Sequence, residues 1–168
     1  MLALALAGCT AADPAPACPS PRTEPLAETA VALEQRLAAL DEADGPTLVT
    51  ITAAEANAYL QHRLLADGEH TARILFAQDG LCLAAELALA GRMVPATLHA
   101  NLAADDGVLI VTLEAVSIGQ RRLPAFLRRS LQSMLNELLA ELGGSASVSS
   151  VALHDGSLTL TLERTALR

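Results

Sequence analysis

"TARILFAQDGLCLAAELALAG", Thr71 to Gly91, decides the fold. Its apolar residues recur at every second position, not at every third or fourth. Ile74 and Phe76 alternate with Arg73 and Leu75. After Asp79-Gly80, the residues Leu81, Leu83, Ala85, Leu87 and Leu89 fall on one side, against Cys82, Ala84, Glu86 and Ala88. A period of two belongs to a strand with two unlike faces, and Asp-Gly between two such runs is a hairpin turn. The pattern continues downstream. Gly91 and Pro95 interrupt it, and Leu98, Ala100 and Leu102 then alternate with Thr97, His99 and Asn101. Asp106-Gly107 supplies a second turn, and Leu109, Val111 and Leu113 extend the apolar row until Gly119. Four strands joined this way form an antiparallel meander with one apolar face. A slip of one residue would turn each leucine row outward, so the register is strongly specified.

Helical periods flank the meander. Pro124 starts the longest helix, with Leu127, Leu131, Met134, Leu135, Leu138 and Leu142 on one stripe and Arg128, Gln132 and Glu137 off it, and Gly143-Gly144 ends it. Val151, Leu153, a third Asp-Gly turn at Asp155-Gly156, and Leu158, Leu160 and Leu162 make a closing hairpin. Upstream, Thr23-Glu24-Pro25 opens a helix whose stripe is Leu26, Ala30, Leu33, Leu37 and Leu40, and "DEADGP", Asp41 to Pro46, closes it. Leu48, Val49 and Ile51 form a short strand. Thr52 and Glu55 then have capping-box spacing for a second helix, with Ala56, Tyr59, Leu60, Arg63 and Leu64 on one face and Asp67-Gly68 at its end. The expected class is α+β: an antiparallel sheet, the four-strand meander plus the C-terminal hairpin, packed on amphipathic helices with one long helix near the C-terminus. Residues 24–168 are expected to make one domain, and a chain of 168 residues can bury a sizeable core.

Composition limits what that core is made of. The chain is 52% apolar but only 2% aromatic, so leucine and alanine must fill most of it. The net charge of −8, from 19 acidic and 11 basic residues, and the scarcity of aromatics argue against a nucleic-acid partner. No stretch reaches the ~20 apolar residues that span a bilayer.

The N-terminus reads as an address. "LAGC", Leu6 to Cys9, is similar to the bacterial lipobox, whose cysteine receives diacylglycerol. Six apolar residues, Leu2 to Ala7, precede it, fewer than the ~7–15 of a usual apolar region. Pro14, Pro16, Pro19 and Pro21 follow, the composition of an extended spacer between a bilayer and a domain. The expected organisation is a lipobox remnant at 1–9, a proline-rich tether at 10–23 and the domain at 24–168. Cys9 would carry the lipid, typically including a palmitate, and the domain would sit outside the cytoplasm in the cell envelope. Cys18 lies in the tether, free to pair with another thiol in an oxidising compartment, whereas Cys82 sits in an apolar strand pattern and reads as a small buried hydrophobe.

Catalytic motifs are missing from the pattern. The sequence has no G-x-S-x-G, no H-E-x-x-H and no phosphate-cradling glycine loop. His62, His70, His99 and His154 are spread one per element without a ligand-like partner at helical or strand spacing, so neither a zinc site nor any other cofactor is expected. Glu86 and Glu114 on the sheet read as a solvated face. Arg121, Arg122, Arg128 and Arg129 read as solvated charge at the start of the long helix. The chain is therefore not expected to be an enzyme.

"VTITAAEANAYLQHRL", Val49 to Leu64, followed by a meander and then by "GQRRLPAFLRRSLQSMLNELLAEL", Gly119 to Leu142, with a closing hairpin, resembles small bacterial secreted or lipid-anchored proteins of the tubular lipid-binding (TULIP) type. The shared features are an I-T-x-x-E-x-N helix start, carried by Ile51, Thr52, Glu55 and Asn57, and an L-P helix start, carried by Leu123 and Pro124. The resemblance covers Leu48 to Glu163. It implies a curved sheet wrapped on a long helix, with an apolar groove for acyl chains. Leu83, Leu87, Leu98, Leu109, Leu131 and Leu135 are the lining it would use. The same alternation serves a filled core, in which case the domain is an interaction or assembly module of the envelope without a ligand cavity.

Overall fold

The computed structural model describes Cys18 and residues 27–42, 45–64, 71–89, 91–142 and 146–164. The expected lipobox with Cys9, the four prolines of the expected tether, Thr23-Glu24-Pro25, Asp67-Gly68, His70 and Gly143-Gly144 lie outside these residues. The elements are α1 (Ala27–Ala38) with a 3₁₀ turn (Ala39–Glu42), β1 (Thr47–Thr52), α2 (Ala53–Tyr59) with a π turn (Leu60–Leu64), β2 (Ala72–Ala77), β3 (Gly80–Leu89), β4 (Arg92–Asp105), β5 (Val108–Ile118), β6 (Arg121–Arg122), α3 (Ala125–Leu142), β7 (Ala146–His154) and β8 (Ser157–Arg164).

The class is α+β, built on two antiparallel sheets rather than one. The first has the order β2-β3-β4-β5-β6; the second has the order β1-β8-β7. The closing hairpin therefore does not extend the meander. It takes β1 as its third strand, from Thr47 opposite Leu162 to Thr52 opposite Ser157. Strand β7 lies along one end of the meander: the Val148 N–H donates to the Gly107 carbonyl at 2.7 Å, and the Gly156 N–H donates to the Phe76 carbonyl at 3.0 Å. Gly107 is required there. It follows Asp106 in a primed turn, with φ of +48° and +80°, and a Cβ on it would run into the Ser147 hydroxyl. The first turn falls one residue earlier than its Asp-Gly suggests. Ala77 pairs with Gly80, and Gly80 opens β3 because a Cβ there would meet the Ala100 carbonyl oxygen at 2.8 Å.

A bulge sets the core. His99 stands opposite Ala115 and Ala100 opposite Leu113, which leaves Glu114 as the extra residue on β5. The inward positions of β5 thereby change phase, from Leu113 to Val116, and both join Ala100 in the buried cluster. Leu81, Leu98, Val111 and Leu123 pack against that cluster, and Leu131 and Leu135 cover it from α3. Each buried leucine contributes about 1.5–3 kcal/mol of transfer free energy, which makes this patch the anchor of α3 on the sheet.

Helices also close the outer edges of the meander. On the β2 edge, the Ile74 N–H donates to Asn57 Oδ1 and Asn57 Nδ2 donates to the Ile74 carbonyl, both at 2.7 Å. Gln61 Nε2 donates to the Ala72 carbonyl at 2.7 Å. On the β5 edge, the Val111 N–H donates to Asn136 Oδ1 at 2.8 Å, and Asn136 Nδ2 returns a bond to the Val111 carbonyl at 3.1 Å. The Leu113 N–H donates to Gln132 Oε1 at 3.0 Å, and Arg128 donates to the Glu114 carbonyl. Each Asn–Gln pair is spaced by four, so both amides project from one side of their helix. A primary amide offers a donor and an acceptor side by side, as a neighbouring strand would.

This arrangement corrects the face assigned to α2. The capping box forms, with the Glu55 N–H donating to Thr52 Oγ1 at 3.2 Å and the Thr52 N–H donating to Glu55 Oε2 at 2.7 Å. The buried residues, however, are Asn57 and Ala58, while Ala56, Tyr59 and Leu60 are half-buried. The bonds of Asn57 to the strand edge turn the helix away from the purely apolar stripe.

Candidate functional site

Side-chain alternation gives the meander two faces with different chemistry. The leucine face carries Leu81, Leu83 and Leu87 on β3 and Leu98, Ala100 and Leu102 on β4. Leu83 stands opposite Leu98 and Ile74, and Leu81 stands opposite Ala100. Of the six leucines expected to line a groove, Leu98, Leu131 and Leu135 meet at the Ala100–Leu113–Val116 cluster, with Leu83 beside Leu98 and half-buried. The other two are separated from them along the strands. Leu109 lies opposite Ala104 near the β4–β5 turn, and Leu87 lies opposite Val94 near the far end and is 37% exposed.

Helix α3 is apolar over a wider arc than the sheet covers. Leu131 and Leu135 point into the core, while Leu127, Met134 and Leu138, on the same expected stripe, are 45–53% exposed. Phe126 in the first turn is 68% exposed. The sequence pattern identified the stripe and placed Gln132 off it. Gln132 is half-buried against the β5 edge, because the polar groups it meets there are backbone.

The opposite face carries Cys82, His99, Ala115 and Ser117. Here the reading of Cys82 as a plain buried hydrophobe is corrected: it is bonded to Cys18, with a Cα–Cα distance of 5.8 Å. Cys82 pairs with His99 across β3 and β4, and His99 Nε2 lies 3.5 Å from Cys82 Sγ. Both sulfurs and the imidazole nitrogen lie within 4.8 Å of one another. A cleft of about 350 Å³ opens beside them, lined among others by Leu75, Asp79, Glu114 and Arg122. Glu114 Oε1 accepts from Asn101 Nδ2 at 2.6 Å. The six leucines are not among its lining residues. Glu86, opposite Pro95, lies on a different rung from Glu114, so the two carboxylates are not paired.

Spacing along the chain could not bring Cys82 and His99 together, because they are 17 residues apart on different strands. Hairpin register does. Leu89 pairs with Arg92 across a two-residue turn, and counting back from that turn places Cys82 opposite His99.

No family model matches the chain, and no curated protein matches it.

Proposed function

We propose that the chain is a cell-envelope protein, anchored through lipid on Cys9, that binds an apolar ligand of acyl-chain type on the leucine face beside α3. The observation that carries this reading is the incomplete cover of that face. Leu127, Met134 and Leu138 on the helix present apolar surface next to a core that Leu98, Leu131 and Leu135 already close, and Leu87 adds exposed apolar surface farther along β3. The TULIP-like order of elements supports it as well. The role is binding and carriage, with no catalytic step.

The anchor reading draws support from the cysteines. Pairing Cys18 with Cys82 uses two of the three and leaves Cys9, the lipobox residue, as the odd one. A disulfide also suits an oxidising compartment. It shortens the reach of the tether, since nine residues from Cys9 to Cys18 span at most ~30 Å, against ~60 Å for the 18 residues from Cys9 to Ala27.

A second reading, an assembly module that docks a protein partner, is favoured by Phe126, which is the most exposed aromatic of the described chain. Native mass spectrometry after gentle purification tests the first reading: added mass in the lipid range is expected, and a protein that always runs at its apo mass would sink it. Displacement of a fluorescent fatty acid should weaken about tenfold in Leu87→Glu and Met134→Glu. A stable homodimer in sedimentation, with no bound lipid, would move the case to the second reading. For the anchor, a Cys9→Ala chain is expected to leave the membrane fraction.

A further inference from the structure

We infer that Cys18, Cys82 and His99, once the disulfide is reduced, form a binding site for one Cu⁺ ion. The disulfide brings the two sulfurs together, the imidazole nitrogen of His99 lies within 4.8 Å of both, and the cleft beside them gives an ion a way in. The separation of His99 Nε2 from Cys82 Sγ, 3.5 Å, matches two donors of one metal. Bond lengths of ~2.3 Å to sulfur and ~2.0 Å to nitrogen, opened to a tetrahedral or trigonal angle, put the donors about 3.6 Å apart. Cys82 and His99 are held by their cross-strand pairing, so these two ligands are positioned by the sheet before any ion arrives. Cys18 completes the set, and the 5.8 Å between its Cα and that of Cys82 allows a second thiolate as readily as a bond between the sulfurs.

The donor set selects the ion. Two soft thiolates and one borderline imidazole favour Cu⁺ and Zn²⁺ over hard cations. Structural Zn²⁺ takes four ligands, whereas this group holds three. Two thiolates and an imidazole suit a trigonal Cu⁺.

Disulfide and metal exclude each other. A dithiol reductant supplies two electrons and two protons to the Cys18–Cys82 bond, leaving two thiols and becoming a disulfide itself. Cu⁺ then binds both sulfurs as the two protons leave. The site uses neither Cys9 nor the leucine face, so its experiment is separate from those that test the anchor and the apolar ligand.

The test uses the full-length chain carrying Cys9→Ala, so that only the pair contributes thiols. It is compared oxidised and phosphine-reduced under anaerobic conditions, with Cu⁺ supplied from a coloured chelator. The reduced chain is expected to withdraw one Cu⁺ per molecule and to protect both thiols from a disulfide reagent, while the oxidised chain withdraws none. His99→Ala should weaken uptake at least about tenfold. Failure to compete with the chelator would overturn the site. So would equal uptake with and without His99, including uptake by a reduced chain whose circular dichroism shows lost fold. Preference for Zn²⁺, with a four-coordinate spectrum on cobalt substitution, would overturn the choice of ion.

Discussion

On the β2 edge of the meander Asn57 bonds both backbone groups of Ile74, and on the β5 edge Asn136 bonds both backbone groups of Val111. A glutamine four residues along assists each, Gln61 after Asn57 and Gln132 before Asn136. What differs is what stands behind each helix. Helix α2 has seven residues, starts in a capping box and is backed by α1, whose Arg36 meets Glu55 at 2.9 Å and the Thr50 carbonyl at 2.9 Å. Asn57 is 6% exposed. Helix α3 has 18 residues, packs chiefly on β5, leaves Asn136 half-buried and turns apolar side chains to solvent. The same chemistry satisfies both strand edges and removes the template that an open edge offers to another chain. One edge is thus a buried structural seal. The other is a half-buried seal made by a helix that also turns apolar side chains to solvent.

The sharpest way to break this comparison is to remove each asparagine in turn. Asn57→Leu removes a buried amide and leaves the half-buried N–H and carbonyl of Ile74 without it, each costing about 1–3 kcal/mol, so a loss of about 3 kcal/mol in urea unfolding is expected. It should also raise the tendency to self-associate through the freed β2 edge, readable by light scattering. Asn136→Leu, at a site that water can reach, is expected to cost about 1 kcal/mol. Equal losses would mean that the two seals do the same work and that burial behind the helix is irrelevant. Hydrogen exchange sharpens the point: the Ile74 amide should open only with the whole molecule, and the Val111 amide at lower free energy.

A smaller effect comes from the helix start. Thr52→Ala removes the cap of α2 and should cost about 1 kcal/mol, lowering protection at Ile74 while leaving Val111 unchanged. On the other side, Met134→Glu and Leu138→Glu should change stability by less than about 0.5 kcal/mol, because both side chains are already half in water. If either is strongly destabilising, the flank of α3 is part of the core and the open-surface reading fails.

The strands of the meander were legible because apolar alternation and the Asp-Gly turns are local signals, and the phase of the capping box was legible for the same reason. The seals were not. Periodicity leaves Gln132 off the apolar stripe and Asn57 in a helix start, with no sign of a partner, whereas the groups that satisfy such amides belong to strands 17 to 25 residues away. Position on a helix says which way a side chain points, not whether water or a strand edge waits there. The bulge at Glu114 was hidden for a related reason. Leu113 and Val116 break the alternation by one residue, and such a break looks like noise until the partner strand shows Ala100 opposite Leu113 and Leu98 opposite Val116 on one face. The pairing of Cys18 with Cys82 spans 64 residues and leaves no local trace.

The smallest expected difference between the two edges is one of pH. Burial by itself raises the pKa of the Glu55 carboxyl. The bond from the Thr52 N–H, the bonds from Arg36 and the Thr52 hydroxyl, and the Arg36 charge together outweigh it, so the group lies below its ordinary value of 4.5. A carboxylate with a lowered folded pKa stabilises the fold above its unfolded pKa, and that contribution is lost as the pH falls through the folded value. Because Arg36 is 45% exposed, the effect is screened and small. On the β5 edge the corresponding groups are the amides of Asn136 and Gln132, which do not titrate. As the pH falls below about 4.5, after correction for intrinsic exchange, protection of the Ile74 amide should therefore fall relative to that of Val111. Glu55→Gln should abolish the difference in slope, and Arg36→Ala should reduce it. Parallel slopes for Ile74 and Val111 in the wild-type chain would show that the capping box does not support the β2 seal. The burial of Asn57 would then have to account for that seal alone.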